Sequence, residues 1–307
     1  MLSYNDVAHK ADKFLALTGY TIPEFQALLP AFEAEFLANV ATHTLAGKPR
    51  CQRAYSSYRN SPLPTVADKL LFILVYLKQN AIQEMHATLF GMNQSDANNW
   101  IHLLQPLLNQ ALATLGAMPA RPPEAFAPAA EPTRIFFQEG TARPITRPTE
   151  PEAQRTYYRG KQKQHTLKNL VVINLQAHIL ALSFTYEGKK HDKKLADEAT
   201  YIWPDGSVLF QDTGFQGFGP AGVIIIQPQK KPRGQELSAV DKANQRAISA
   251  LRIRVEHAIG GVKRYRIVKD TIRNWKQGFR DQVMATCCAL HNFRLQFRPW
   301  HYESLTA

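Results

Sequence analysis

Only three cysteines (Cys51, Cys287 and Cys288) occur in 307 residues. Three cannot build a disulfide framework, and two adjacent ones are poorly placed to bridge each other, so the chain reads as one kept in a reducing compartment. Long apolar runs are scarce too. The longest, Leu70–Leu77, is far short of the roughly 18–20 residues that span a bilayer. The first twenty residues carry charges throughout, unlike a secretory leader. A cytoplasmic protein, neither secreted nor membrane-embedded, is expected. Proline (19) and glycine (16) are near ordinary usage, which excludes collagen-like and wholly disordered chains. With 45% hydrophobic residues, the chain is long enough for one or two domains with real cores.

Acidic residues fail to balance the basic ones in one half only. Up to Ala130 there are nine basic and nine acidic residues; beyond it there are 28 basic against 16 acidic, so the whole formal charge of +12 lies in the second part. The basic stretches are Arg155–Lys168, Lys189–Lys194, Lys230–Arg233 and Arg252–Arg280. Separate basic runs in one folded segment point to a surface that tracks phosphates. Membrane-surface binding is not expected, since no basic amphipathic helix or lipidation motif stands out.

The first half reads as helices. Thr21-Ile-Pro-Glu24 and Thr65-Val-Ala-Asp68 have capping-box form, the second opening the apolar Leu70–Leu77 segment. Pro30 is expected to bend or shorten the first of these helices. Ile82, Met85, His86 and Leu89 form a short amphipathic stretch stopped by Gly91, and a second helix starts near Gln94–Ser95 with Ala97, Trp100, Ile101, Leu104 and Leu108 on one side. This spacing fits a helix-turn-helix over residues 82–105, with Gln94, Ser95, Asn98 and Asn99 facing outward as uncharged readers of base edges. The five prolines of residues 117–133 predict a stiff linker between a helical domain (1–116) and a second domain (134–298), with 299–307 as a tail. The second domain is expected to be mixed α/β. Its five strands lie around Arg134–Gln138, Leu170–Leu175, Ile179–Thr185, Val208–Gln211 and Val223–Gln227, with a hairpin turn at Gln176–His178 and helices over 239–264 and 279–297.

Two acids sit where an apolar strand runs out, Glu139 and Asp212, each with a glycine close behind (Gly140, Gly214). A third, Glu256, lies mid-helix between Arg252 and Lys263, all three on one helix face. Carboxylates from adjacent strand ends plus one from a helix form the oxygen-rich cage that Mg²⁺ or Mn²⁺ accepts. Two such ions suit phosphodiester displacement, with Arg252 and Lys263 placed to contact phosphate. Cys287, Cys288 and His291 lack a fourth zinc ligand and read as core. Trp275 reads as an aromatic anchor or as a stacking surface for an unpaired base, and His191-Asp192 as a turn or a supporting pair.

Several motifs then fall in register with a known family. Tyr158-Arg-Gly-Lys161-Gln-Lys-Gln-His165-Thr-Leu-Lys168, Gly188-Lys-Lys-His191-Asp192, Gln211-Asp212-Thr-Gly-Phe-Gln-Gly217 and Arg252-Ile-Arg-Val-Glu256-His-Ala-Ile-Gly-Gly-Val-Lys263-Arg264 resemble the DDE transposases of bacterial insertion sequences, in the branch related to Harbinger elements. The resemblance runs in order from about Pro62 to Arg294. It implies an RNase H-like catalytic domain, with Asp212 as the second acid and Glu256 as the third. It also implies two divalent ions. The tyrosine often found three residues before the family's arginine is Ser249 here. The first acid departs from the pattern: the family carries aspartate before Gly-Thr-Glu, whereas this chain reads Glu139-Gly-Thr-Ala142. The longer side chain displaces the carboxylate by about one C–C bond in a site that tolerates roughly 0.5 Å.

The resemblance implies a DNA transposase that binds terminal repeats, cleaves a strand and transfers it to target DNA, acting as a homo-oligomer. Arg159, Lys161, Lys163, His165, Lys168, Arg252, Lys263 and Arg264 are the expected DNA contacts in the second half. Two alternatives stand beside it: a catalytically weakened or inactive DNA-binding descendant, and a metal-dependent nuclease that cuts without joining.

Overall fold

The computed structural model describes every residue except 52, 53, 59, 230–237 and 303–307; of Lys161 only the backbone is described. In chain order the elements are α1 (Tyr4–Val7), α2 (Ala11–Thr18), α3 (Ile22–Thr42), α4 (Val66–Gln79), α5 (Gln83–Leu89) and α6 (Gln94–Thr114). Then come α7 (Pro123–Ala130), β1 (Ile135–Pro144), α8 (Pro151–Tyr157), β2 (Tyr158–Arg159), β3 (Gln164–Ile173), β4 (Ile179–Leu182) and β5 (Tyr186–Glu187). The rest are α9 (Asp192–Ala199), β6 (Val208–Phe210), β7 (Ile224–Ile226), α10 (Ala239–Lys263), α11 (Arg266–Lys269) and α12 (Phe279–Leu295). The chain forms two compact units, residues 1–118 with 263–297, and 119–262 with 298–307.

The first unit is helical. Both capping boxes form: the Thr21 and Thr65 side chains accept from the backbone N–H of Glu24 and Asp68, whose carboxylates reach back to the cap N–H. Every residue of Leu70–Leu77 is buried in α4. Pro30 is exposed inside α3, which runs on to Thr42. A proline ring turned to solvent costs a hydrogen bond without ending the helix. α12 is interior along nearly its whole length, Cys287, Cys288 and His291 included. It is tied to the rest of the unit by polar bonds as well. Tyr20 Oη donates to the Leu290 carbonyl at 2.7 Å, Gln105 Nε2 to Thr286 Oγ1 at 2.8 Å, and Asn292 Nδ2 to the Ala117 carbonyl at 2.9 Å.

α5 and α6 are joined by a turn in which Gly91 takes φ +67°, a conformation glycine enters without steric cost. Asn93 caps α6, its Oδ1 accepting from the Asp96 N–H at 2.8 Å. Of the amphipathic set expected from α5, His86 is buried as its spacing implies, with Ala87 beside it, whereas Ile82, Met85 and Leu89 are exposed. His86 fills a cage made by Phe72, Tyr76 and Phe90.

The second unit is built on one mixed sheet in the order β2-β3-β1-β6-β7, with β4 and β5 also pairing β3. The five expected strands are present, and two-residue strands β2 and β5 add to them among the described residues. β1 is antiparallel to β3 from Phe137 to Pro144 and parallel to β6 from Ile135 to Phe137, and β6 is parallel to β7. The β3–β4 turn is closed by Asn174 Oδ1, which accepts from the Gln176 and His178 N–H groups at 3.0 Å.

The segment expected as an extended linker folds otherwise. Ala120 donates to the Leu180 carbonyl and accepts from Leu182 N–H, which stitches it to β4. Pro123 then opens α7 at a position where its missing N–H costs nothing. Phe126 and Ala130 of α7 are fully buried against Phe136, Tyr201 and Trp203. The second unit therefore starts at 119 rather than 134, and residues 263–297 pack with the first unit. Among the described residues no helix is long and apolar enough to cross a membrane.

Candidate active site

β1 and β6 lie side by side and parallel, and their ladder ends at Phe137 and Phe210. The next residue on each is a glutamine. Gln138 Nε2 donates to Gln211 Oε1 at 2.6 Å, and Gln211 Nε2 donates to Gln227 Oε1 at 2.8 Å. This chain of amides links β1 to the residues just past β6 and β7, where the parallel pairing stops. One residue beyond it stand the two acids. Asp212 Oδ1 accepts from Thr213 N–H at 2.7 Å and so caps the short turn Thr213–Phe215. Glu139 continues along β1, opposite Val171 of β3.

Arg252, from α10, joins the two acids. Its Nη2 lies 2.5 Å from Glu139 Oε2 and its Nη1 lies 3.6 Å from Asp212 Oδ1. A guanidinium presents its donors as a planar fork, which suits it to bridging two carboxylates. A third acid sits against them: a Cβ on Gly140 would fall 1.9 Å from Asp192 Oδ1, and one on Gly214 would fall 3.1 Å from Asp192 Oδ2. The Asp192 carboxylate therefore occupies space that only glycine at 140 leaves open, and it lies in tight contact with position 214. Lys168 Nζ, buried, pairs with it at 2.7 Å and donates to the Lys190 carbonyl at 3.0 Å. Burial pushes the Glu139 carboxyl up to about 7; Arg252 opposes that rise, and the like charges of Asp212 and Asp192 add to it.

Glu256 lies one turn beyond Arg252 on α10 and is exposed. Among the described residues, no three of His, Cys, Asp and Glu are gathered closely enough to hold an ion.

Comparison with known proteins decides the family. A model described as DDE superfamily endonuclease matches residues 139–292, just over half of the chain. The chain belongs to the DDE superfamily endonucleases. The helix-turn-helix model of the same superfamily matches residues 61–114, ahead of the endonuclease segment. Over 239 residues this DDE endonuclease is 23% identical to a protein of Microchaete diplosiphon named "Probable transposase for insertion sequence element IS702", covering 77% of this chain and 83% of that one. No solved structure matches.

The remaining candidate residues of this DDE endonuclease fall in different settings. Gln94, Ser95 and Asn99 are exposed at the start of α6 and Asn98 is half-buried. Gln83 ties two of them together, accepting from Gln94 Nε2 at 2.5 Å and donating to Asn98 Oδ1 at 2.9 Å. Arg159 and His165 sit half-buried on the small β2–β3 hairpin, where Tyr158 pairs with His165, and Lys163 is exposed at its tip. Lys161 opens no side-chain description, and Lys230–Arg233 lies outside the described residues.

Lys168 is a correction: it is buried behind Asp192, not presented to a phosphate. Arg252 too is turned onto Glu139 and Asp212. The Lys189–Lys194 run is partly neutralised, Lys190 pairing with Glu187 and Glu198, and Lys193 with Asp197. Lys263 and Arg264 are half-buried, with Arg264 Nη1 reaching the Gly19 carbonyl at 3.5 Å. His191 precedes α9 as its cap residue, and Trp275 is 58% exposed.

The residues missed by sequence reasoning are Gln138 and Gln211. A signal for them was present, because each acid is preceded by the same residue: Gln-Glu-Gly in one place and Gln-Asp-Thr-Gly in the other.

Proposed function

We propose that this DDE endonuclease is a DNA transposase that binds the terminal inverted repeats of an element through its helix-turn-helix. On this reading it cuts a strand and joins the freed 3′-OH to target DNA, working as a homo-oligomer so that two ends meet. One observation carries the reading: Glu139 and Asp212 stand just past the end of the parallel β1–β6 ladder and share one guanidinium.

The donor set suits a hard divalent cation. It consists of carboxylate oxygens alone, and positive charge already sits between them in the form of Arg252. Glu139 and Asp212 would hold Mg²⁺ or Mn²⁺; Glu256, exposed one turn beyond Arg252 and not gathered with them in this structure, would have to be brought in to complete an RNase H-like set. Bound there, a pair of ions supplies an activated nucleophile and a stabilised leaving oxygen for in-line displacement at phosphorus. The chain's own residues do the positioning. The Gln138–Gln211–Gln227 amides hold β1, β6 and β7 together beside the acids, Arg252 keeps the two carboxylates together, and Lys168 neutralises Asp192 beside them.

A second reading, DNA binding without turnover, is favoured by one specific observation. The first acid is glutamate, and its carboxylate is already paired with Arg252 at 2.5 Å.

An assay with paired duplex ends cut from the DNA flanking the coding sequence, run with Mg²⁺ and with Mn²⁺, separates these readings. Joined products support the transposase. Cleavage without joining indicates a nuclease, and binding without cleavage indicates the non-catalytic descendant. Glu139→Asp is expected to raise the cleavage rate by about tenfold or more, since a 1 Å misplacement costs up to about a hundredfold. Equal, background rates for Glu139→Asp, Asp212→Ala and wild type contradict catalysis at this site.

A further inference from the structure

The first unit carries a second basic feature that neither the helix-turn-helix nor the acidic site accounts for. After α11 the chain runs through Arg273-Asn274-Trp275-Lys276 before α12 begins. This loop is fastened to the helices around it. Arg273 Nη2 donates to the Asn80 carbonyl at the end of α4, Asn80 Nδ2 donates to the Thr271 carbonyl at 3.3 Å, and Asn274 Nδ2 lies 3.3 Å from His102 Nε2 of α6. Fastened in this way, the loop leaves Trp275 58% exposed. The Arg280 guanidinium lies 4.0 Å over its ring. A buried anchor would hide that ring; here one face carries a cation and the rest is open.

The loop also borders two neighbouring hollows at the start of α6. One concavity, of about 440 Å³, is lined by Gln94, Asn98, Arg273, Asn274 and Trp275 among others, with Glu84 its acidic member. Another, of about 590 Å³, is lined by Asn98, Asn99, His102, Asn274 and Lys276 among others, with no acid. Asn98 and Asn274 belong to both. A helix that enters a major groove has a sugar–phosphate ridge on each side of it. Two hollows at the first turns of α6, each bordered by a cation of the same loop, offer places for such a ridge. α6 lends these hollows the amides Gln94, Asn98 and Asn99, a residue type that reads base edges.

We propose that the Arg273–Lys276 loop completes the DNA surface of the helix-turn-helix. Lys276 contacts a phosphate, and the Arg280-stacked Trp275 packs on the sugar–phosphate backbone beside the groove that α6 enters. This rests on the reading of α6 as a DNA-recognition helix. It assigns to DNA binding a segment that lies within the endonuclease match in sequence but folds with the helix-turn-helix.

The test uses the full chain and fluorescence anisotropy on two labelled duplexes: one 30-base-pair random sequence, and one selected from a randomised library by the wild-type protein. Titrations run over a range of KCl concentrations. The variants are Lys276→Gln, Trp275→Ala, Asn98→Ala and, as a charge control elsewhere in the first unit, Lys10→Gln. Lys276→Gln is expected to weaken both duplexes alike, by roughly fivefold to tenfold, and to lower the slope of log K against log salt by about one. Trp275→Ala weakens both with the salt slope unchanged. Asn98→Ala weakens the selected duplex alone, and Lys10→Gln changes neither. Wild-type affinity in both loop variants, with discrimination lost in Asn98→Ala, overturns the loop's role while leaving α6 as the reader. Equal losses in Lys10→Gln and Lys276→Gln overturn it in favour of diffuse charge. Failure of the wild type to bind either duplex removes the underlying reading and the loop's role with it.

Discussion

At the scale of single residues, two buried ionisable groups are accommodated differently. Arg252 turns its fork onto Glu139 and Asp212, while His86 is buried among aromatic rings and desolvation depresses it to about 4. The consequence for stability has a definite sign. Above pH 6.5 His86 is neutral in both folded and unfolded chains. Between about 6.5 and 4 the unfolded chain takes up a proton that the folded one refuses, so stability falls as pH drops, by roughly 3 kcal/mol at the acidic end. Urea unfolding at pH 7.5, 5.5 and 4.5 checks this, and His86→Leu is expected to flatten the fall relative to wild type. Parallel pH profiles for the two proteins contradict it. Asp212 was legible in the sequence as an acid just past a strand end, whereas at Glu139 the expected strand end is absent: β1 runs on to Pro144, and what ends before Glu139 is only its parallel pairing with β6. The partner of Arg252 was not legible. Spacing along α10 puts Glu256 on its face, but a long side chain reaches across the unit, and its partners lie 113 and 40 positions away.

At the scale of elements, the local signals were the reliable ones. Both capping boxes, the β3–β4 turn and the apolar run of α4 depend on neighbours within a few residues, and each is where its residues imply. The proline-rich segment misled because proline is read as a breaker wherever it occurs. Pro122 and Pro123 instead stand at the cap and first turn of α7, the positions where proline is compatible with a helix. The physical weight of α7 is Phe126, fully buried between Phe136, Tyr201 and Trp203. Phe126→Ala is therefore expected to cost about 3–5 kcal/mol, measured by chemical denaturation. An extended linker would lose almost nothing, so a change below 1 kcal/mol contradicts this placement.

At the scale of the molecule, the chain order of family segments and the grouping of the fold do not coincide. The endonuclease match continues to residue 292, yet α12 packs as the interior of the first unit. Nothing short-range in residues 279–295 announces this, since their apolar pattern says that they are buried and is silent on what buries them. Tyr20, Gln105 and Ala117 each lose a hydrogen-bond partner if α12 is removed. A fragment of residues 1–118 is accordingly expected to lack a cooperative thermal transition by circular dichroism, and a sharp two-state melt for it contradicts the grouping.

The central claim is that Glu139 and Asp212 form one cation-binding site. Titration of the full-length protein with Mn²⁺, followed by the loss of the free-ion electron paramagnetic resonance signal, tests it without relying on turnover. Saturable binding in the wild type that is lost in both Glu139→Gln and Asp212→Asn is the predicted result. Binding unchanged in both variants, or no binding by the wild type, contradicts it.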